Sequence, residues 1–126
     1  MPNDASQGDS RLGPYLPRPA GDRYSQEKFP YKVRGKNRSV ETQWGALCSS
    51  HTNNARRCFD HLARTPTDSP IDVGRVTELK GKDFEDRGIW QYEVGSGARV
   101  WFKVDEERRI VTVVKAFTSH PKETEP

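Results

Sequence analysis

The chain has 126 residues and a mass of 14.4 kDa, with 32% apolar and 31% charged residues, which predicts one domain around one modest core. No run approaches the ~18 consecutive apolar residues that cross a membrane, and the first residues lack the apolar centre of a signal sequence, so a cytoplasmic location is expected. The net charge of +3 is uneven: residues 1–38 hold eight basic and four acidic residues, and the rest is slightly acidic. This distribution excludes a uniformly basic nucleic-acid binder.

Residues 1–30 are rich in proline and glycine and have no sustained period of two or 3.6. Such a segment buries too little side chain to offset its ordering entropy. We therefore expect a disordered or loosely tacked basic leader, followed by a folded domain over residues 31–126. Four apolar side chains of the leader are candidates for contact with that domain: Tyr15, Leu16, Tyr24 and Phe29.

The first folded element is predicted as a short strand over residues 29–34, with Tyr31 and Val33 on one face. Two amphipathic helices follow, the first capped by the hydroxyl of Ser39 and the second starting at Thr52 or Asn53. Apolar residues recur at helical spacing along both of them: Val40, Trp44, Leu47 and Cys48, then Ala55, Cys58, Phe59 and Leu62.

The second half changes to the period of strands. Three strands are predicted, at residues 89–94, 98–104 and 110–117, joined by a glycine turn at 95–97 and a polar turn at 105–109. The third is apolar on both faces, which is typical of the middle of a sheet. The expected fold class is α+β, with an antiparallel sheet, a helical hairpin on one face and the order β-α-α-β-β-β.

The two cysteines, Cys48 and Cys58, lie among apolar neighbours at helical spacing. Two thiols alone do not make a tetrahedral zinc site, so we expect reduced, buried thiols. Neither a metal site nor a small-molecule cofactor is predicted.

The order of these elements resembles the RelE/ParE toxin superfamily of bacterial type II toxin–antitoxin systems. The resemblance covers about two thirds of the chain and is strongest in three runs: LKG at 79–81, WQYEVGSGARVWFKVD at 90–105 and SHPKETE at 119–125. It is closest to the actinobacterial and phage-type branch. The family implies a fold with a helical hairpin on a sheet, an antitoxin protein as partner and no membrane association.

For the RelE side, the family also implies ribosome-dependent cleavage of mRNA, in which the ribose 2′-hydroxyl attacks the adjacent phosphate. Such a reaction needs a base, an acid and cations around the developing charge. The resemblance assigns the phosphate-binding arginine to Arg99 and an acid or base to His120, with Lys122 as an electrostatic helper. The alternative for Arg99 is a cross-strand pair with Glu93.

Further cations and one aromatic ring are candidates for holding RNA: Lys80, Lys82, Arg87, Trp101 and Lys103. Trp101 lies between Arg99 and Lys103 on one strand face, so its indole is a candidate for stacking a base between two phosphate-binding cations. The alternatives are a cap over the sheet or a docking patch for an antitoxin segment.

Two positions depart from the family. RelE-type nucleases carry lysines on the outward face of the strand before the glycine turn, where this chain has Gln91 and Glu93. A carboxylate beside the scissile phosphate repels it. The second reading is therefore a non-catalytic binding module of the same fold, either a ParE-like topoisomerase inhibitor or a protein that only pairs with a partner.

Overall fold

A computed structural model describes residues 15–19, 29–67, 76–79, 88–95 and 97–119. Within these residues the chain forms two helices, α1 (Arg38–Ser50) and α2 (Thr52–Arg64). It also forms five strands, which are β1 (Lys32–Gly35), β2 (Val76–Glu78), β3 (Trp90–Gly95), β4 (Ala98–Asp105) and β5 (Ile110–Phe117).

Both helices form because apolar side chains recur at helical spacing and bury one stripe each. Val40, Trp44 and Leu47 are the buried residues of α1. The cap of α1 differs from the prediction: Asn37 caps the helix, because its side-chain oxygen accepts a hydrogen bond from the Val40 amide at 3.0 Å. Ser39 is already inside the first turn.

The five strands form one sheet in the order β1-β5-β4-β3-β2. The central position of β5 confirms the prediction from its apolar sequence. Two predictions about the sheet were wrong. β1 runs parallel to β5, so the sheet is mixed. A short additional strand, β2, precedes the three predicted strands in the chain and pairs with the first of them, β3.

The core lies between the helical hairpin and one face of the sheet. α1 packs on β5, and α2 packs on β3 and β1. On β4 the predicted alternation is confirmed, since Ala98, Val100 and Phe102 are fully buried in the core. Alternate side chains therefore point to the opposite face, which we call the open face of the sheet.

Part of the leader is docked on the domain. We call residues 15–19 the strap. Leu16 is fully buried, its amide donates to the Val33 carbonyl at 3.0 Å, and Tyr15 forms an antiparallel bridge with Arg34 on the outer edge of β1. Tyr15 and Leu16, two of the apolar side chains that the sequence offered for contact with the domain, thus attach the strap to it.

Two polar contacts fix the other end of the strap. The Trp44 indole N–H donates to the Pro17 carbonyl at 2.9 Å. The Arg18 guanidinium makes two bonds to the Asp60 carboxylate, at 2.8 and 3.1 Å. This two-point geometry restricts the arginine more than a single ion pair does.

Candidate nucleic-acid interface

The outward side chains of β4 define the centre of the open face. Arg99, Trp101 and Lys103 alternate with the core residues of that strand, as the sequence predicts. Trp101 pairs with Lys115 on β5, which lies on the same face. Three cations therefore surround one indole.

Arg99 is paired with a carboxylate across the β3–β4 hairpin. Its guanidinium lies 3.5 Å from Glu93 Oε1, and the two side chains are 16% and 32% exposed. A second nitrogen of Arg99 donates to its neighbouring carbonyl, that of Ala98, at 3.1 Å. The alternative considered for Arg99, a pair with Glu93, is thus present, and a phosphate would have to compete with that carboxylate.

Trp101 is held in place on the open face by contacts on several sides. Its indole N–H donates to Gln91 Oε1 at 2.9 Å, and Phe117 contacts it edge-on with ring centroids 4.9 Å apart. Lys115 Nζ lies 5.6 Å from the ring centroid, within the range of a cation–π interaction. At 3% exposure the ring offers almost no surface to a base, so its position argues against the stacking role predicted for it and matches a cap over the sheet.

Beside Trp101 the open face forms a groove with a volume of about 1030 Å³, which we call the lysine groove. Its lining is drawn from β1, β4, β5 and the turns around them: Lys36, Ile89, Trp101, Lys103, Val104, Asp105, Glu106, Thr112, Val114 and Lys115. Lys36 and Lys103 are exposed, and Lys115 is half-buried. The lining therefore includes three lysines, of which Lys115 also lies over the Trp101 ring.

The two acidic residues of the lysine groove are bound to groups of their own. Asp105 accepts a hydrogen bond from the Arg108 amide at 3.0 Å and lies 3.9 Å from its guanidinium. Glu106 accepts a hydrogen bond of 2.6 Å from the Tyr31 hydroxyl, which raises the pKa of Tyr31. Within the described parts of the chain, no carboxylate lies within ion-pair distance of Lys36 or Lys103. The lining of the groove thus carries three basic and two acidic side chains, and Lys36 and Lys103 are the exposed lysines among them.

The other residues predicted for the site fall outside the described residues: Lys80, Lys82, Arg87, His120 and Lys122. Of the predicted site residues, Arg99, Trp101 and Lys103 share the open face. Lys36 and Lys115 were not predicted for the site. Their signal in the sequence was weak, since Lys36 follows a short strand and Lys115 interrupts an apolar one.

Buried ionisable groups elsewhere are shielded from reaction. Burial raises the pKa of Cys48 to about 11 and the pKa of Cys58 well above its ordinary value, and both are free thiols. Burial also raises the pKa of Tyr92, whose ring lies 5.2 Å from that of His61. Among the described residues, no group of three or more His, Cys, Asp or Glu side chains is arranged to hold a metal ion.

No protein-family model matches the sequence, and no curated protein matches it. The resemblance to RelE/ParE toxins therefore rests on the residue runs and on the predicted order of elements alone. In the part of the chain that the structure describes, no helix is long and apolar enough to cross a membrane.

Proposed function

We propose that this protein is a cytoplasmic toxin of the RelE/ParE type that binds mRNA on the ribosome through the open face and cleaves it. The observation that carries the proposal is the concentration of cations there. Arg99 and Lys103 both lie on β4 and Lys36 follows β1, and the acidic residues of the lysine groove are hydrogen-bonded to Arg108 and Tyr31. Three cations on one face favour a backbone of phosphates.

The proposed reaction is an internal transesterification. The ribose 2′-oxygen loses its proton to a base and bonds to the adjacent phosphorus, and the bond from phosphorus to the 5′-oxygen breaks. The products are a 2′,3′-cyclic phosphate and a 5′-hydroxyl, whose proton comes from an acid. Arg99 stabilises the extra charge on the phosphoryl oxygens, and His120 is the proposed acid or base, with Lys122 beside it.

The remaining cations hold the message on either side of the reacting phosphate. Lys80, Lys82, Arg87 and Lys103 carry this role. Neutralisation by an antitoxin protein follows from the same proposal, since a toxin of this type is made together with its inhibitor.

A second candidate is a binding module of the same fold without chemistry, such as a topoisomerase inhibitor. The pairing of both outward side chains of β3 favours it: Glu93 binds Arg99, and Gln91 binds Trp101. A carboxylate in contact with the arginine opposes the approach of a phosphate and leaves β3 with no cation for catalysis.

Induction of the chain in a bacterial host, followed by mapping of mRNA 5′ ends, separates the two functions. Cleavage predicts growth arrest together with new 5′-hydroxyl ends that follow the reading frame. Arg99→Ala combined with His120→Ala should abolish both effects, whereas Arg56→Ala, a change of an exposed arginine on α2, should leave both intact. Arrest without new ends supports the binding module instead, and full cleavage by the double variant overturns the assigned residues.

A further inference from the structure

We propose that Tyr15 stacks a nucleobase of bound RNA, with the guanidinium of Arg34 behind its ring, so that the leader contributes a side chain to the RNA interface. The inference rests on the RNA binding proposed above, and it adds a contact with a base to a surface whose other proposed contacts are with phosphates. It also assigns to the strap a role that the fold alone does not require.

The position of Tyr15 is fixed by its neighbours in the strap. Leu16 is fully buried beside Gly35, where a Cβ on that glycine would lie 3.3 Å from the leucine Cδ2. Arg18 is bound at two points by Asp60. A ring on this segment therefore keeps its place relative to the sheet, and stacking on it loses little conformational entropy.

Strand register places Tyr15 in line with the lysine groove. Tyr15 bridges Arg34, Arg34 pairs with Thr112, and Thr112 pairs with Lys103. Val33 and Leu16, the neighbours of Arg34 and Tyr15, are buried in the core, so Arg34 and Tyr15 lie on the open face. The row crosses three strand spacings, which puts the Tyr15 backbone about 14 Å from that of Lys103.

The ring itself is suited to a base. Arg34 Cζ lies 5.0 Å from the centroid of the Tyr15 ring, and Arg34 is only 3% exposed, so its guanidinium offers almost no surface to a phosphate. Tyr15 remains partly exposed. Aromatic rings stack bases of any sequence, and a row that ends in an aromatic ring beside exposed lysines matches the alternation of base and phosphate in a single strand.

The chemistry of the row favours single-stranded RNA over a base-free polyanion. A polyphosphate or heparin chain uses the cations alone, and only a nucleic acid uses the ring. The comparison of the two ligands therefore isolates the contribution of Tyr15.

The test measures binding of the full chain to a single-stranded RNA oligomer that carries 2-aminopurine, with heparin as the base-free ligand. Tyr15→Leu keeps an apolar side chain on the strap but removes the aromatic ring, and Tyr15→Phe keeps the ring. We expect Tyr15→Leu to weaken RNA binding by about 5- to 150-fold, as loss of one stacked base does, with unchanged heparin affinity. Tyr15→Phe should bind RNA within about twofold of the unaltered chain and retain the quenching of 2-aminopurine fluorescence.

Three other outcomes overturn the inference, each in a recognisable way, and a fourth leaves it standing without the proposed chemistry. Equal loss of RNA and heparin binding in Tyr15→Leu means that the ring only supports the cations. Unchanged RNA binding in Tyr15→Leu means that the ring faces something other than RNA, such as a protein, while the RNA binding of the proposed function stands. If the unaltered chain binds heparin but no RNA, the proposed function fails with it. If the unaltered chain binds RNA through Tyr15 but does not cleave it, the inference stands and only the proposed chemistry fails.

Discussion

Glu93 and Gln91 decide how the open face is arranged at the level of single residues. Each points outward from β3 and binds the side chain opposite it on β4, Arg99 and Trp101 respectively. Directly opposed side chains of an antiparallel pair are close enough for such contacts. The sequence predicted that these four residues share a face, and it offered the Arg99–Glu93 pair as one alternative.

Removal of the charge at Glu93 should increase RNA binding. The change Glu93→Gln leaves Arg99 without its carboxylate partner, so the guanidinium becomes available to a phosphate. We expect the affinity for a single-stranded RNA oligomer to rise by about two- to fivefold, the range that an exposed ion pair contributes. Fluorescence anisotropy titration measures the change.

The matched control is Glu107→Gln, which removes an equal charge from the exposed β4–β5 turn. An equal rise for both variants would mean that only net charge matters. No rise for Glu93→Gln would mean that Arg99 has a purely structural role.

The Cys48 thiol provides a prediction about pH. Burial raises its pKa from an ordinary value of 9.0 to about 11, so the thiol stays protonated until the pH is far above neutral. Because only the thiolate reacts, iodoacetamide at pH 8 should modify Cys48 about a hundredfold more slowly in the folded protein than in the urea-unfolded protein. Mass spectrometry of peptides over time measures both rates, and equal rates would contradict the burial of this side chain.

The strap is the element whose position depends most on residues distant in sequence. Its prolines and the absence of a period indicated a disordered or loosely tacked segment, and a few long-range contacts hold it in place of a repeating pattern. Leu16 enters the core, and Arg18 finds Asp60 at a distance of 42 residues in sequence. Local composition contains no information about such partners, although the tacking role considered for Tyr15 and Leu16 was correct.

Leu16→Ala should destabilise the whole domain. The side chain is fully buried, so its truncation removes apolar contacts and leaves a cavity, at a cost of about 2–5 kcal/mol in the free energy of unfolding. Urea denaturation measures this cost. Ser49→Ala on the exposed face of α1 should change the stability by less than about 0.5 kcal/mol. A cost for Leu16→Ala near that of the control would show that the strap is only loosely attached.

Among the larger elements, the two helices and the strands of the second half were predictable because each buries one face. The apolar residues of a buried face recur at a regular spacing in the sequence. The parallel pairing of β1 with β5 was not predictable. β1 is four residues long, and nothing in its pattern specifies a partner or a direction. β2 escaped detection for a similar reason, since three residues do not establish a period.

On the scale of the whole molecule, the position of the charged residues matters more for binding than their net charge. The chain carries a net charge of only +3, and the described cations of the proposed interface converge on one face of the sheet. A protein of this kind binds a polyanion through a few defined contacts. The slope of log K against log salt is then proportional to the number of those contacts.

Lys36→Gln and Lys103→Gln should each reduce the slope of log K against log salt by about 0.7, the value for one phosphate contact in a single strand. Titrations with a single-stranded RNA oligomer at several salt concentrations give the slopes. Arg56→Gln, which removes a cation from an exposed position on α2, should leave the slope unchanged. A slope that is equally insensitive to all three changes would place the RNA elsewhere on the molecule.

The parallel pair of β1 and β5 also determines when the open face is assembled during synthesis and folding. Residues 32–35 are among the first to be synthesised in the domain, but their partners at 110–113 are made 78 residues later. Closure of so long a loop is slow compared with formation of the β3–β4–β5 meander, so β1 and the strap should join the sheet last in folding. A chain still under synthesis has Lys36 and Tyr15 but not the strand that aligns them with Lys103. It therefore lacks the assembled surface with which the finished protein would hold RNA.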